Sequence, residues 1–136
     1  MDSEQTIIFI KPRAIEEDQL GNIINLIIDA KVKIIGMKMM LIPMNAAGTI
    51  FKKYSGTPLY EVLVKELISG PSVVAVLQGK KLLSWLPLLM QLESKVFPLK
   101  RDLNYINSSF LYRPDNKEEA LELAQYMFAG FEIQDL

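Results

Sequence analysis

Residues 63–79, LVKELISGPSVVAVLQG, join two different periodicities across a single dipeptide. Leu59, Val62, Leu63 and Leu67 recur at helical spacing and predict an amphipathic helix that begins near Thr57. Gly70-Pro71 stops it, because proline has no N–H to donate and its ring clashes with the preceding turn. The run that follows, SVVAVLQG, is apolar without alternation, as a central strand covered on both sides requires. Gly79 ends it.

The chain upstream is organised around that strand. TIIFI, Thr6 to Ile10, reads as a short buried strand closed by Pro12, which cannot continue a ladder. Leu20, Ile23, Ile24, Ile27 and Ile28 form one helical stripe running to about Ala30. Val32 to Ile42 predicts a long strand with Lys33 and Lys38 interleaved, stopped by Pro43. MNAAGTIFKKY, residues 44–54, pairs with the following helix as a helical hairpin, with Asn45 and Thr57 as N-caps.

Downstream, KKLLSWLPLLMQLES, residues 80–94, predicts a helix kinked at Pro87, with Trp85, Leu82, Leu86 and Leu89 on a stripe that belongs to the core or to a subunit interface. RDLNYI, residues 101–106, reads as a fourth strand. DNKEEALELAQYMF, residues 115–128, reads as a final helix, N-capped by Asp115 or Asn116 with Glu118 or Glu119 completing a capping box. The resulting order predicts an α+β fold in one domain over residues 1–136. It is a ferredoxin-like βαββαβ sandwich, a four-stranded antiparallel sheet with helices laid on one face.

Composition narrows the chemistry. Fifteen Lys and Arg face sixteen Asp and Glu in 136 residues, so no basic excess points to a nucleic-acid partner. The chain has neither cysteine nor histidine, which removes disulfides, thiolate chemistry, two common metal ligands and the side chain that titrates near neutrality. MDSEQTIIFI lacks the basic n-region of a secretory signal, and a cytoplasmic location is expected. The apolar runs are interrupted by Asp29, Lys31, Lys33, Lys38, Ser84 and Pro87, so no membrane helix is expected. Seven methionines and half the residues apolar suit a self-associating surface. No Gly-x-x-x-x-Gly-Lys-Ser/Thr loop or Gly-x-Gly-x-x-Gly turn occurs.

Taken in order, TIIFIKPRAI, GNIINLIIDAKVKIIGMKMM, LVKELISGPSVVAVLQG and DNKEEALELAQYMF resemble the nucleoside diphosphate kinase family over nearly the whole chain. The resemblance implies a homo-oligomer assembled through a sheet edge and helices. It also implies a reaction that passes a γ-phosphate through a phosphohistidine in an Asn-x-x-His-Gly-Ser-Asp loop. Alignment of the final helix without a gap sets Asp115 on that aspartate and Tyr112 on the histidine, with Ser109 at the asparagine, Arg113 at the glycine and Pro114 at the serine. Lys11 and Tyr54 match the lysine and tyrosine that flank the triphosphate and the nucleophile. Lys100 stands where a phosphate-binding arginine is expected, Pro87 at a second arginine, and Glu93 or Ser94 at a threonine. Leu59 replaces the phenylalanine that stacks on the base, while Ile106 keeps an apolar base contact. The segment YSGTP is shorter than the family's.

A phenol of pKa about 10 is protonated at neutral pH, whereas imidazole offers a free lone pair. A tyrosyl phosphate is also a stabler ester than a phosphoramidate and would trap the group it received. No catalytic residue is therefore expected, and Tyr112 reads as a packed or hydrogen-bonded side chain. Lys11, Tyr54, Leu59, Lys100, Ile106 and Ser109 remain as a relic nucleotide site with weak or no binding, and any nucleotide would enter as its Mg complex. No protein metal site is expected. Lys100, Arg101 and Arg113 are candidates for an anion patch, and Lys11 otherwise reads as a solvated lysine at a strand end. The leading reading is an inactive kinase-like module that binds itself or a protein partner. Its alternative is an active phosphotransferase using a route without histidine. RNA binding ranks last, because TIIFI and SVVAVLQ offer only Phe9 for base stacking.

Overall fold

Strand β3 (Pro71–Lys80) starts at the proline of the Gly-Pro stop and lies between two antiparallel neighbours, β1 (Ser3–Ile10) and β2 (Lys33–Leu41). The computed structural model describes residues 3–86, 110–129 and 132. β1 pairs on its far side with β4 (Leu111–Tyr112), giving the order β2-β3-β1-β4, all antiparallel. The helices are α1 (Pro12–Glu16), α2 (Leu20–Asp29), α3 (Met44–Ile50), α4 (Pro58–Leu67) and α5 (Lys117–Met127), with a 3₁₀ turn at Lys52–Tyr54 and a helical stretch at 82–86. No helix among the described residues is long and apolar enough to cross a membrane.

Helices cover both faces of the sheet, not one as the sequence reading expected. Side chains alternate along a strand. Because both parities of β1 and β3 are apolar, each face needs cover. Ile7, Phe9, Val74 and Val76 pack with Ile50 of α3, Leu63 and Leu67 of α4, and Leu123 of α5. Ile8, Ile10, Val73 and Ala75 pack on the other face with Ile23 and Ile27 of α2 and with Leu82 and Leu86. Trp85 packs half-buried against this second cluster, on its core side.

Local departures have local causes. Ile28 and Val62, counted in the helical stripes, are 54% and 43% exposed, since periodicity gives a stripe's direction but not how much of it a neighbour covers. Pro43, not Asn45, is the N-cap of α3, in extended backbone at φ −71° and ψ 159°. Thr57 is the N-cap of α4, but its hydroxyl donates to the carbonyl of Tyr54 at 2.6 Å instead of accepting from the helix. The expected strand at 101–106, Pro87 and Leu89 fall outside the described residues, and the fourth strand that is described is Leu111–Tyr112. β2 contains a register shift between Ile34 and Gly36 where it runs along β3. Lys31, at φ 66°, turns the chain from α2 into β2.

Candidate functional site

Tyr112 lies on β4 itself, paired across the sheet with Phe9, and not in the irregular loop that the sequence suggested. Its side chain is 3% exposed. The ring meets Phe51 edge-on and lies 6.0 Å, centroid to centroid, from Phe9. Its hydroxyl donates to Glu119 Oε2 over a long 3.4 Å. Burial pushes the phenol's pKa well up, against the opposing influence of Lys53. A group in this state is a poor nucleophile, since attack needs the phenolate.

Lys53, in the 3₁₀ turn after α3, closes the arrangement. Its ammonium donates to Asp115 Oδ2 at 2.7 Å and to Glu119 Oε1 at 3.1 Å, and it stands 5.5 Å from the ring centroids of both Tyr54 and Tyr112. Partial burial alone would lower its pKa, but the contacts with Asp115, Tyr112 and Glu119 outweigh that and raise it. Glu119 serves three donors: Lys53, the Tyr112 hydroxyl and, at 3.4 Å, the backbone N–H of Asp115. Asn116 caps α5 by accepting from the N–H of Glu119 at 2.8 Å. Only the forward half of the capping box expected from the sequence is present: the Glu119 carboxylate reaches back to the N–H of Asp115, one residue before the N-cap, and is also engaged by the turn after α3. A cleft of about 440 Å³ opens beside these groups, between α3 and α5. Asp115, Glu118, Glu119 and Glu122 face Lys52 and Lys53 there, an excess of negative charge that opposes a polyphosphate.

Lys11 is not the solvated lysine of the alternative reading. Its side chain is 1% exposed, at the end of β1, and its Nζ lies 3.0 Å from Glu66 Oε1 on α4. Tyr54 is half-buried beside Phe51, at 6.4 Å between ring centroids, and burial raises its hydroxyl's pKa. Leu59 packs against the core cluster of α3 and α4. Arg113 donates to the carbonyl of Pro114 at 3.3 Å. Lys100, Arg101, Ile106, Ser109, Glu93 and Ser94 lie outside the described residues.

Of the expected residues, Tyr54 and Tyr112 come together, both under Lys53. Sequence reasoning missed Lys53, Glu66 and Glu119. Lys53 had a faint signal in its position next to Tyr54, and Glu119 was read only as a capping residue. Glu66 had none, because its partner is distant in the chain. Among the described residues no group of three or more acidic side chains converges in a geometry that could hold a metal ion.

Comparison with known proteins agrees with this architecture. Residues 4–91 match the family model described as nucleoside diphosphate kinase. The Aquifex aeolicus nucleoside diphosphate kinase superposes with a TM-score of 0.82 at 26% identity, over 97% of this chain and 99% of that one. The Borrelia burgdorferi enzyme, solved as a transition-state mimic with vanadate and ADP, gives 0.84 at 15% identity over 100% and 93%. The Halobacterium salinarum enzyme in complex with CDP gives 0.80 at 19% over 98% and 93%. The last two carry the fold alone. With the family model spanning well over half its length and the same four-stranded sheet beneath it, the chain belongs to the nucleoside diphosphate kinase family.

Proposed function

We propose that this chain is a nucleoside diphosphate kinase-like domain without phosphotransfer activity, which works as an oligomeric binding or assembly module. The observation that carries this reading is the state of Tyr112: buried, wedged against Phe51, and hydrogen-bonded to a carboxylate that also holds Lys53. With no histidine in the chain, the phosphohistidine route is closed. Phosphoryl transfer depends on positioned cations and a poised acceptor. Here Lys11 and Lys53 are both paired with carboxylates of the chain itself. The described residues therefore fit a Mg-nucleotide poorly, and weak or no nucleotide binding follows.

Assembly is supported by the sheet edge. Among the described residues β2 has one neighbour in the sheet, and it exposes Met37, Met39 and Leu41 along one side, with Met44 just beyond it and Ile28 exposed on α2. An apolar edge of this kind is covered in a stable soluble protein, most simply by a second copy.

The test is to incubate purified protein with γ-labelled ATP and then with a nucleoside diphosphate, alongside light scattering. No label on the protein, none on the acceptor, and a mass above that of one chain are expected. Label reaching the acceptor would overturn the reading in favour of a phosphotransferase with another route.

A further inference from the structure

The stretch between α3 and α4, residues 52–58, is anchored at its ends and open in its middle. Ile50 and Phe51 on one side and Leu63 on the other are buried in the core, whereas Ser55, Gly56, Thr57 and Pro58 are exposed. The backbone bonds of the stretch are local. The N–H groups of Tyr54, Ser55 and Thr57 donate to the carbonyls of Phe51, Lys52 and Tyr54, and the Thr57 hydroxyl donates to the carbonyl of Tyr54 as well. Gly56 stands at φ 82°, and a side-chain carbon added there would meet no described atom within 4 Å.

What reaches from this turn to another element is mainly ionic. Among the described residues its ion pairs all belong to Lys52 and Lys53: Lys52 with Glu122 at 3.5 Å, and Lys53 with Asp115 at 2.7 Å and Glu119 at 3.1 Å. The three carboxylates lie on α5 or just before it. The pairs are unequal, because Lys52 and Glu122 are 67% and 64% exposed, and an ion pair in water contributes little. Lys53 and Glu119 are 27% and 20% exposed, so salt screens them less. The Lys53 ammonium also lies 5.5 Å from the ring centroid of Tyr112, whose hydroxyl shares the Glu119 carboxylate.

We propose that residues 52–58 are a lid over Tyr112, and that Lys53, clasped by Asp115 and Glu119, holds the lid shut against α5. With the clasp undone the turn swings between Phe51 and Leu59, the cleft between α3 and α5 widens, and the tyrosine meets solvent. Such a lid shields Tyr112 whether or not the chain transfers phosphate.

The test uses the full chain as wild type, Lys52→Met, Lys53→Met and Lys53→Arg, with two readouts by mass spectrometry. One is hydrogen exchange at the amides of Tyr54, Ser55 and Thr57. The other is nitration of Tyr112 by tetranitromethane, with the exposed Tyr126 as the internal control for the reagent. Lys53→Met should speed both by about fivefold or more, while amides of β1 and β3 keep their wild-type rates. Loss of the ammonium by itself disfavours the phenolate on which the reagent acts, so faster nitration reports access. Lys52→Met should stay within about twofold of wild type, and Lys53→Arg, which keeps the charge, should restore most of the protection. Raising sodium chloride from about 0.1 M to about 1 M should loosen wild type by about twofold and leave Lys53→Met unmoved.

If Lys53→Met does not fold, Asp115→Asn carries the comparison, since that side chain is 70% exposed and its loss removes one arm of the clasp. A smaller change in the same direction is then expected. Unchanged nitration and exchange in Lys53→Met, or in Asp115→Asn where it stands in, would overturn the proposal, because packing alone would then hold the turn. So would an equal effect of Lys52→Met, or faster exchange spread through β1 and β3, which would make Lys53 a support of the core and not the pin of a lid. The labelled-ATP assay on wild type is independent of these outcomes: transferred label defeats the functional reading and leaves the lid standing.

Discussion

Phe51 meets Tyr112 edge-on, with ring centroids 4.8 Å apart and planes at 69°. The contact joins the end of α3 to β4 and makes the tyrosine part of the core. Tyr112→Phe should therefore cost no more than about 1 kcal/mol, the value of one long hydrogen bond, whereas Tyr112→Ala should cost about 3–5 kcal/mol by opening a cavity. Urea denaturation of the two variants measures the difference. Similar losses from both would mean that the hydroxyl, not the ring, carries the stability.

Tyr112→His should not create a kinase. The imidazole would enter a packed site under Phe51 and Lys53, and the surrounding cations would still be paired with Asp115, Glu119 and Glu66. No transfer of label from γ-labelled ATP to a nucleoside diphosphate is expected, together with lower stability than wild type. Recovered turnover would show that the nucleophile alone was missing.

Stability should fall at alkaline pH. Burial raises the pKa of Tyr112; for Lys53, burial opposes the rise, but its contacts with Asp115, Tyr112 and Glu119 prevail. Both groups then hold their protons more tightly folded than unfolded, where they titrate near about 10 and about 10.4. Their contribution is fully present below about pH 10 and is lost as pH rises beyond it. Denaturant midpoints followed upward from about pH 8 should stay level and then drop, and Tyr112→Phe should reduce the drop. A profile unchanged by that substitution would remove Tyr112 from the account.

Asn116→Ala should destabilise by about 1 kcal/mol, the usual value of an N-cap side chain. The side-chain oxygen of Asn116 accepts from the N–H of Glu119, the residue that also carries Lys53 and Tyr112. Hydrogen exchange should accordingly speed up in the first turn of α5.

Lysines placed at Met39 and Leu41 should shift the protein toward smaller species in light scattering while leaving its circular dichroism intact. Both side chains are exposed on the edge strand, so the substitutions add charge to a surface without opening the core. An unchanged mass would place the contact between copies elsewhere.

Much of the scaffold was legible because the chain punctuates itself. Gly70-Pro71 separates α4 from β3, and the unbroken apolar run after it announced a strand covered on both sides. The same logic applied to β1 would have predicted two-sided cover, since Ile7 to Ile10 is apolar at every position. The candidate site was legible only where residue type was decisive, at Tyr112. The pairings of Lys11 with Glu66 and of Lys53 with Asp115 join segments far apart in the chain, and no local periodicity encodes which carboxylate a lysine will meet. Asn45 misled because a good capping side chain does not start a helix when the proline two residues earlier already sets the extended backbone a cap needs.

The shift within β2 has a directional consequence. Ile34 stands opposite Leu77 and Gly36 opposite Val76, so two steps along one strand match a single step along the other. Beyond that point odd-numbered residues take over the side that Ile34 occupied: Met37 and Met39 lie opposite Ala75 and Val73, and Lys38 turns to the reverse side, where it bonds Glu132 at 3.0 Å and lies over the Phe128 ring. Delete one residue there and the greasy row would swing beneath α4 and α5 while the lysine let go of the C-terminal segment. A single supernumerary residue thus decides which side of the margin is oily and which is latched.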